Sequence, residues 1–375
     1  MIYLATSLIL GFLTVFLGTP HAKRYLLGSG IFAVDQQKKD QPKLPTSGGT
    51  VVLFGFLVSV TSYLGLASFF NTGGFEVAEV LAALSSVTII TLIGLIDDIH
   101  IKIDRIIEEE LELKNDDYTL EIHEVLEREN NTDVFMDRIH GGEKQDSDSM
   151  VRAGLGQLPK MLFVLPAAFP LIAVGAGSWR MALPFVGVIN WGIIYPLILL
   201  PLGLLFVSNV VNMLAGTNGL AASLSMVAGA ALGIFGLIIG NTGAALIGLS
   251  LAVALLGFMK YNFYPASILP GDSLTYLCGA ALFSTMVIGD MEKFGVFIFT
   301  LWIIEFGLKA RSGFNAHSWG ELKDGKLESQ HDKIYSLTHV FMNKGYNEKQ
   351  ITLILTAIQV LISVTGLILF TQGIL

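Results

Sequence analysis

Runs of about twenty mostly apolar residues recur along this chain, and no other feature constrains its fold as strongly. A helix needs roughly that length to cross the core of a bilayer. Ten stretches qualify, near residues 2–19, 48–70, 77–96, 159–176, 190–208, 219–239, 244–258, 273–289, 294–310 and 350–373. In lipid, a helix satisfies its backbone groups within itself. The expected fold is therefore all-α: a polytopic integral membrane protein with about ten transmembrane helices. The balance of 53% hydrophobic to 14% charged residues over 375 excludes an ordinary soluble globule. The first run starts at Ile2 with no basic leader and no small-residue cleavage site, and reads as a retained helix. The single cysteine, Cys278, excludes an intramolecular disulfide and a Cys-based zinc cluster. Its apolar setting, "YLCGAALF", reads as a small buried side chain.

Orientation follows from Lys and Arg. With ten spans, the loops after spans 1, 3, 5, 7 and 9 share one side, and those loops with their borders hold 21 of the 23 basic residues. Only Arg180 and Lys293 fall on the other side. The odd loops are expected to be cytoplasmic and both termini outside. The patterns "GAALG" at 229–233 and "GLIIG" at 236–240 read as close helix packing.

Residues 104–149 break the pattern, with 16 Asp or Glu against 5 Lys or Arg. Such a segment reads as a solvated cytoplasmic excursion, and its charge repels nucleic acid. Three sections are expected: 1–103 with helices 1–3 and cytoplasmic loop one, the acidic insertion 104–150, and 151–375 with helices 4–10 and the remaining cytoplasmic loops.

Polar residues gather where the cytoplasmic loops meet the spans. Loop one ends in "KLPTSGG" (43–49), and loop two begins with Asp97–Asp98 and ends in "RAGLGQLPK" (152–160). Loop three is "NVVNMLAGTNG" (209–219), loop four "KYNFYPASILPGDS" (260–273), and loop five contains "FNAHSWGELKDGKLESQHDK" (314–333). Asp97, Asp98 and Asp272 are hard oxygen ligands, and Asn209, Asn212 and Asn218 add amide oxygens. Mg²⁺ is usually held by one or two carboxylates together with substrate phosphates. Lys43, Arg152 and Lys160 can offset phosphate charge, and glycines let backbone N–H groups approach an anion. Taken singly, each element has a plainer reading. The Asp pair could anchor or cap a span end, "PTSGG" could be a turn, Asp272 in "PGDS" could be an N-cap, and Asn209 and Asn212 could join helices. Their occurrence together on one side points to a metal–diphosphate site.

These motifs resemble those of the polyprenyl-phosphate N-acetylhexosamine-1-phosphate transferases, the glycosyltransferase 4 family. "KLPTSGG", "GLIDD", "NVVNMLAGTNGLAA" and "YPASILPGDS" match its four main motifs in order, and the likeness covers nearly all of the chain except 104–149. "AGTNGLAA" is similar to the archaeal and eukaryotic UDP-GlcNAc:dolichyl-phosphate GlcNAc-1-phosphate transferases rather than to the "DGLDGLA" of the cell-wall branch. The cell-wall branch's histidine cluster is absent, and His317 stands alone. "HSWGE" stands where the eukaryotic enzymes carry a basic "HRIPR"-like stretch, so Arg311, Lys323 or Lys326 would take the diphosphate instead. For the basic residue after the Asp pair, Lys102 is a candidate, but Lys160 fits better.

The resemblance implies transfer of a sugar-1-phosphate from a UDP-sugar to a polyprenyl phosphate, with release of UMP. Asp97, Asp98 and Lys160 would be catalytic, and Asp272 and Asn212 would hold Mg²⁺ or Mn²⁺. Lys43, Asn209, Asn218, His317 and Arg152 would bind substrate. The implied partners are UDP-GlcNAc, dolichyl or another polyprenyl phosphate, and the lipid bilayer, with no nucleic acid and a homodimer left open. The membrane would be an archaeal cell membrane, or the endoplasmic reticulum if the source is eukaryotic. The same chemistry on another UDP-N-acetylhexosamine is the alternative. A secondary transporter would place ionisable groups near the midplane of paired half-repeats. Here the one acid well inside a span is Glu305. A structural anchor acting through its acidic insertion is a further rival.

Overall fold

The computed structural model describes residues 1–70, 77–99, 162–183, 187–323 and 326–374. The chain divides into one compact unit, Met1–Asp98 with Phe163–Leu375, and a second, Ile99–Leu162. The acidic insertion, Lys102, Arg152 and Lys160 lie outside the described residues.

The first unit is helical. It opens with α1 (Ile2–Gly28), a short hairpin of β1 (Phe32–Val34) and β2 (Lys43–Pro45), α2 (Gly49–Phe69) and α3 (Val77–Asp98). A 3-10 turn at Leu165–Ala168 leads into α4 (Phe169–Ala173), followed by the hairpin β3 (Arg180–Leu183) and β4 (Gly187–Asn190). The centre comprises α5 (Leu200–Met213), α6 (Leu220–Ile238), α7 (Thr242–Asn262) and α8 (Gly271–Ile288). After these come α9 (Glu292–Ile298), α10 (Thr300–Ala310), the hairpin β5 (Gly320–Lys323) and β6 (Lys326–Ser329), α11 (Leu337–Met342) and α12 (Glu348–Thr371).

Among the described residues, eight helices are long and apolar enough to cross a membrane, against the ten expected. The stretch 294–310 is apolar enough to span, but the helix breaks at Phe299 between α9 and α10. The break is tolerated because Gln359, fully buried in the middle of α12, donates Nε2 to the Ile298 carbonyl at 3.1 Å. Irregular backbone at membrane depth survives only where protein supplies such a partner. The described part of 159–176 is the 3-10 turn and five-residue α4, each with a proline in its first turn. The span expected from residue 190 becomes helical only at Tyr195, through a π-turn at Tyr195–Leu199 that leads into α5. Pro196 and Pro201 each lack an N–H and disturb the regular ladder there.

Helix α8 is the axis of the unit. Every residue from Ser273 to Ile288 is buried, although this is the least apolar of the eight long helices. It packs on α2, α3, α5, α6 and α7, so its hydroxyl residues face protein rather than lipid. Thr285 answers its own polarity by donating to the Ala281 carbonyl at 2.7 Å. Cys278 is a free, buried thiol, as expected. The most apolar of the eight, α12, lies at the rim, with Leu353, Leu361, Val364 and Ile368 exposed. The glycine patterns also divide by place. A Cβ on Gly233 would fall 2.7 Å from the Leu249 backbone nitrogen, so α6 and α7 touch there. Gly240 instead turns the chain after α6 at φ +79°.

Candidate active site

The site is built where α3 ends and α8 begins. Loop four lies against loop one through backbone hydrogen bonds. Leu269 N–H donates to the Pro45 carbonyl at 2.8 Å, and Gly48 and Gly49 N–H donate to the Leu269 and Pro270 carbonyls at 3.1 and 3.3 Å. The start of α8 has a problem to solve, because its N-cap position is Pro270, which has no side-chain acceptor for the first-turn N–H groups. Asp98, at the last position of α3, supplies one from across the bundle. Its Oδ1 accepts from Asp272 N–H at 2.7 Å and its Oδ2 from Ser273 N–H at 3.2 Å. A carboxylate at that end also matches the helix dipole. Gly271 makes the approach possible: its φ is +67°, and a Cβ there would lie 2.2 Å from Asp98 Oδ2.

Asp272 therefore does not cap its own helix. It stands half-buried in the first turn of α8, where its Oδ1 accepts from Asn212 Nδ2 at 2.6 Å. Asn212, in the last turn of α5, also donates to Thr275 Oγ1 at 2.9 Å. Asp97 is half-buried at the end of α3, and all three carboxylates lie within electrostatic reach of the Tyr276 side chain. Asp98 and Asp272 sit close enough to repel each other.

These residues fit a hard divalent cation. The ligands on offer are carboxylate oxygens, and the repulsion between Asp98 and Asp272 is what a cation relieves, while Asn212 beside them turns its amide nitrogen to Asp272. Among the described residues, no three His, Cys, Asp or Glu side chains form a protein-only metal cage. Mg²⁺ usually takes one or two carboxylates and completes its shell with water and phosphate oxygens.

Other expected site residues are placed differently. Asn209 does not join Asn212 at Asp272; it is buried and donates Nδ2 to the Leu205 carbonyl one turn back, at 2.8 Å. Asn218 lies in a buried cluster that the sequence did not reveal. Its Nδ2 donates to Asp35 Oδ2 at 3.0 Å, its N–H to Glu348 Oε1 at 2.7 Å, and its carbonyl accepts from Thr352 Oγ1 at 3.1 Å. Lys38 bridges the two acids, 3.2 Å from Asp35 Oδ2 and hydrogen-bonded to Glu348 Oε2. Only the i,i+3 spacing of Asp35 and Lys38 was visible in sequence; Glu348 is more than 300 residues away. Lys43 is exposed on the first hairpin, its ammonium 5.3 Å from the Phe32 ring.

Loop five folds onto loop three. Ser318 Oγ donates to the Met213 carbonyl at the end of α5, and Thr338 Oγ1 donates to the Ser318 carbonyl. Lys309 donates to the Ala316 carbonyl, while buried Glu305 accepts from Leu337 N–H at 2.8 Å and lies 3.9 Å from Lys309. Glu305 is thus a packing partner for loop five and not an isolated ionisable group in a transport path. His317 does not stand alone in space. His339, fully buried, accepts from Tyr335 N–H through Nδ1 at 3.3 Å, which leaves Nε2–H to donate to the His317 carbonyl at 2.8 Å. The His331 ring lies 5.6 Å from that of His339. Burial lowers the His339 imidazole to about 4, so it is neutral at pH 7 and holds this tautomer. The exposed His317 ring lies tilted against Trp319, with ring centres 5.0 Å apart. Of the three basic residues offered for the diphosphate, Arg311 donates to the Ile334 carbonyl at 3.3 Å, and Lys323 lies 3.6 Å from Glu321 on the hairpin that also carries exposed Lys326.

Comparison with known proteins points the same way. The profile of "Glycosyl transferase family 4" matches residues 145–290, which contain Asn209, Asn212, Asn218 and Asp272. A Sulfolobus acidocaldarius protein is 28% identical over 368 residues, 97% of this chain and 95% of its own length. It carries the provisional name UDP-N-acetylglucosamine–dolichyl-phosphate N-acetylglucosaminephosphotransferase. A Saccharolobus solfataricus protein with the same provisional name is 35% identical over 213 residues, 56% of this chain and 66% of its own. A phospho-N-acetylmuramoyl-pentapeptide-transferase of Clostridium botulinum is 29% identical over 158 residues, 40% of this chain and 48% of its own. With ordered motifs, a multi-pass helical unit and full-length similarity in agreement, the chain belongs to glycosyl transferase family 4, as a membrane phosphoglycosyltransferase.

Proposed function

We propose that this protein transfers N-acetylglucosamine-1-phosphate from UDP-GlcNAc to dolichyl or another polyprenyl phosphate. A phosphate oxygen of the lipid attacks the β-phosphorus of the nucleotide sugar. The bond from that phosphorus to the bridging oxygen breaks, UMP leaves, and the sugar-1-phosphate stays on the lipid as a diphosphate. The observation that carries this reading is the meeting of Asp98, Asp272 and Asn212, from three helices, through direct hydrogen bonds. Phosphoryl transfer depends chiefly on positioning and charge neutralisation. Mg²⁺ or Mn²⁺, held by Asp272 with Asn212, would neutralise the diphosphate and polarise its phosphorus. Asp98 fixes the start of α8 and so the direction of Asp272. Asp97, at the boundary where the span ends, organises the lipid phosphate. His317 and Lys43, both exposed, meet the nucleotide sugar from loops five and one. The reading places the protein in an archaeal cell membrane with this site on the cytoplasmic side, supported by the Lys and Arg bias and the full-length similarity to the Sulfolobus protein.

The test is UMP release by the purified protein, with a panel of UDP-sugars and dolichyl or undecaprenyl phosphate. Lipid-dependent release from UDP-GlcNAc is the expected result. Release from a different UDP-N-acetylhexosamine only would transfer the reading to that sugar, and no release from any would overturn it.

A further inference from the structure

Lys38 lies outside every motif that carries the chemistry, yet it joins four separate segments. Its ammonium meets Asp35 in loop one and Glu348 at the start of α12, and it sits 4.7 Å from the centre of the Tyr264 ring in loop four. The two acids hold Asn218 of loop three by its side chain and by its N–H. Gln37, next to Lys38, donates to the Gly216 carbonyl of the same turn at 2.5 Å. Asp35, Asn218 and Glu348 are all buried. As a device for stability alone this is a poor choice, since a buried ion pair repays little more than its own desolvation. What it does deliver is geometry. The turn 214–219 follows directly on α5, whose last turn carries Asn212 against Asp272.

We propose that Lys38 and Glu348 form a latch that positions the turn 214–219, and through it Asn212, for the transfer step. The catalytic half of this proposal rests on the function proposed above. Neither residue touches substrate; both act through Asn218 and the turn. With the latch open, the turn loses its hold on Glu348 and the end of α5 is free to shift. A misplacement of about 1 Å can cost on the order of 10²-fold in rate.

The test uses the full chain in detergent or nanodiscs, with Lys38→Met, Glu348→Gln, their double variant and Lys38→Arg. Two quantities are read: the kinetics of UMP release, and amide hydrogen exchange over 214–219. Each single variant should lower kcat about tenfold or more while KM for UDP-GlcNAc stays within about threefold. Lys38→Arg should recover most of the loss, and the double variant should be no worse than the poorer single, because one interaction is removed only once. Exchange at the Asn218 amide should rise in Glu348→Gln and Lys38→Met. Additive losses, a rise in KM alone, or unchanged exchange would overturn the latch. So would failure of both Lys38→Met and Glu348→Gln to fold, which would make the pair a folding device. If the wild type releases no UMP from any UDP-sugar, the catalytic reading falls, and the exchange measurement still decides whether the latch exists.

Discussion

At the scale of single residues, the site turns on which carboxylate does which work at the start of α8. An acid in the first turn of a helix usually invites reading as a cap. Here the cap comes from Asp98 on α3, and Asp272 faces Asn212 instead. The division makes Asp272→Asn a clean measurement. Asn keeps the shape, and the backbone N–H groups of α8 keep Asp98, so the melting temperature should stay near wild type. A full negative charge is lost from the cation's position, so turnover should fall on the order of 10²-fold or more. Turnover close to wild type in a folded Asp272→Asn protein would remove the metal role. That Asp97, Asp98, Asn212 and Asp272 belong together was legible in the sequence, because each ends or begins a span on the side rich in Lys and Arg. The capping of α8 by Asp98 was not, because 174 residues separate donor and acceptor and no local pattern encodes such a contact.

At the scale of elements, the helices were legible where apolar length alone decides them and illegible where proline or a buried polar partner intervenes. The α9–α10 break is the clearest case. A run apolar enough to cross as one helix is interrupted, and the interruption is answered by a side chain from α12. Gln359→Leu should therefore leave the Ile298 carbonyl without its donor. Because Gln359 Oε1 has no hydrogen-bond partner of its own, the substitution also removes a buried polar atom, and the net cost should be modest, about 1 kcal/mol. A thermal denaturation of the variant in the same detergent should show a melting point lower by a few degrees. An unchanged or higher value would mean that water or local rearrangement satisfies the break.

At the scale of the whole molecule, the loops converge because α8 is central and the helices around it deliver their polar ends to its start. On the proposed function, several anionic groups around two anionic substrates predict that activity depends on a divalent cation. EDTA should abolish UMP release, and Mg²⁺ or Mn²⁺ should restore it; full turnover in chelator would leave the acids without that role. By itself the sequence determined that this chain is a helical bundle in a membrane, and it pointed to the motifs from which a transferase site would be built. Both are written locally, in apolar length, in charge bias and in short ordered motifs. The tertiary structure alone decided that Asp98 holds α8, that Asn209 turns back into its own helix, that His339 fixes His317, and that Lys38 and Glu348 grip Asn218. Each of these is a contact between segments tens to hundreds of residues apart, or a choice between partners of equal chemistry. Such choices are settled by which backbones approach closely enough to touch, and that follows only from how the helices pack.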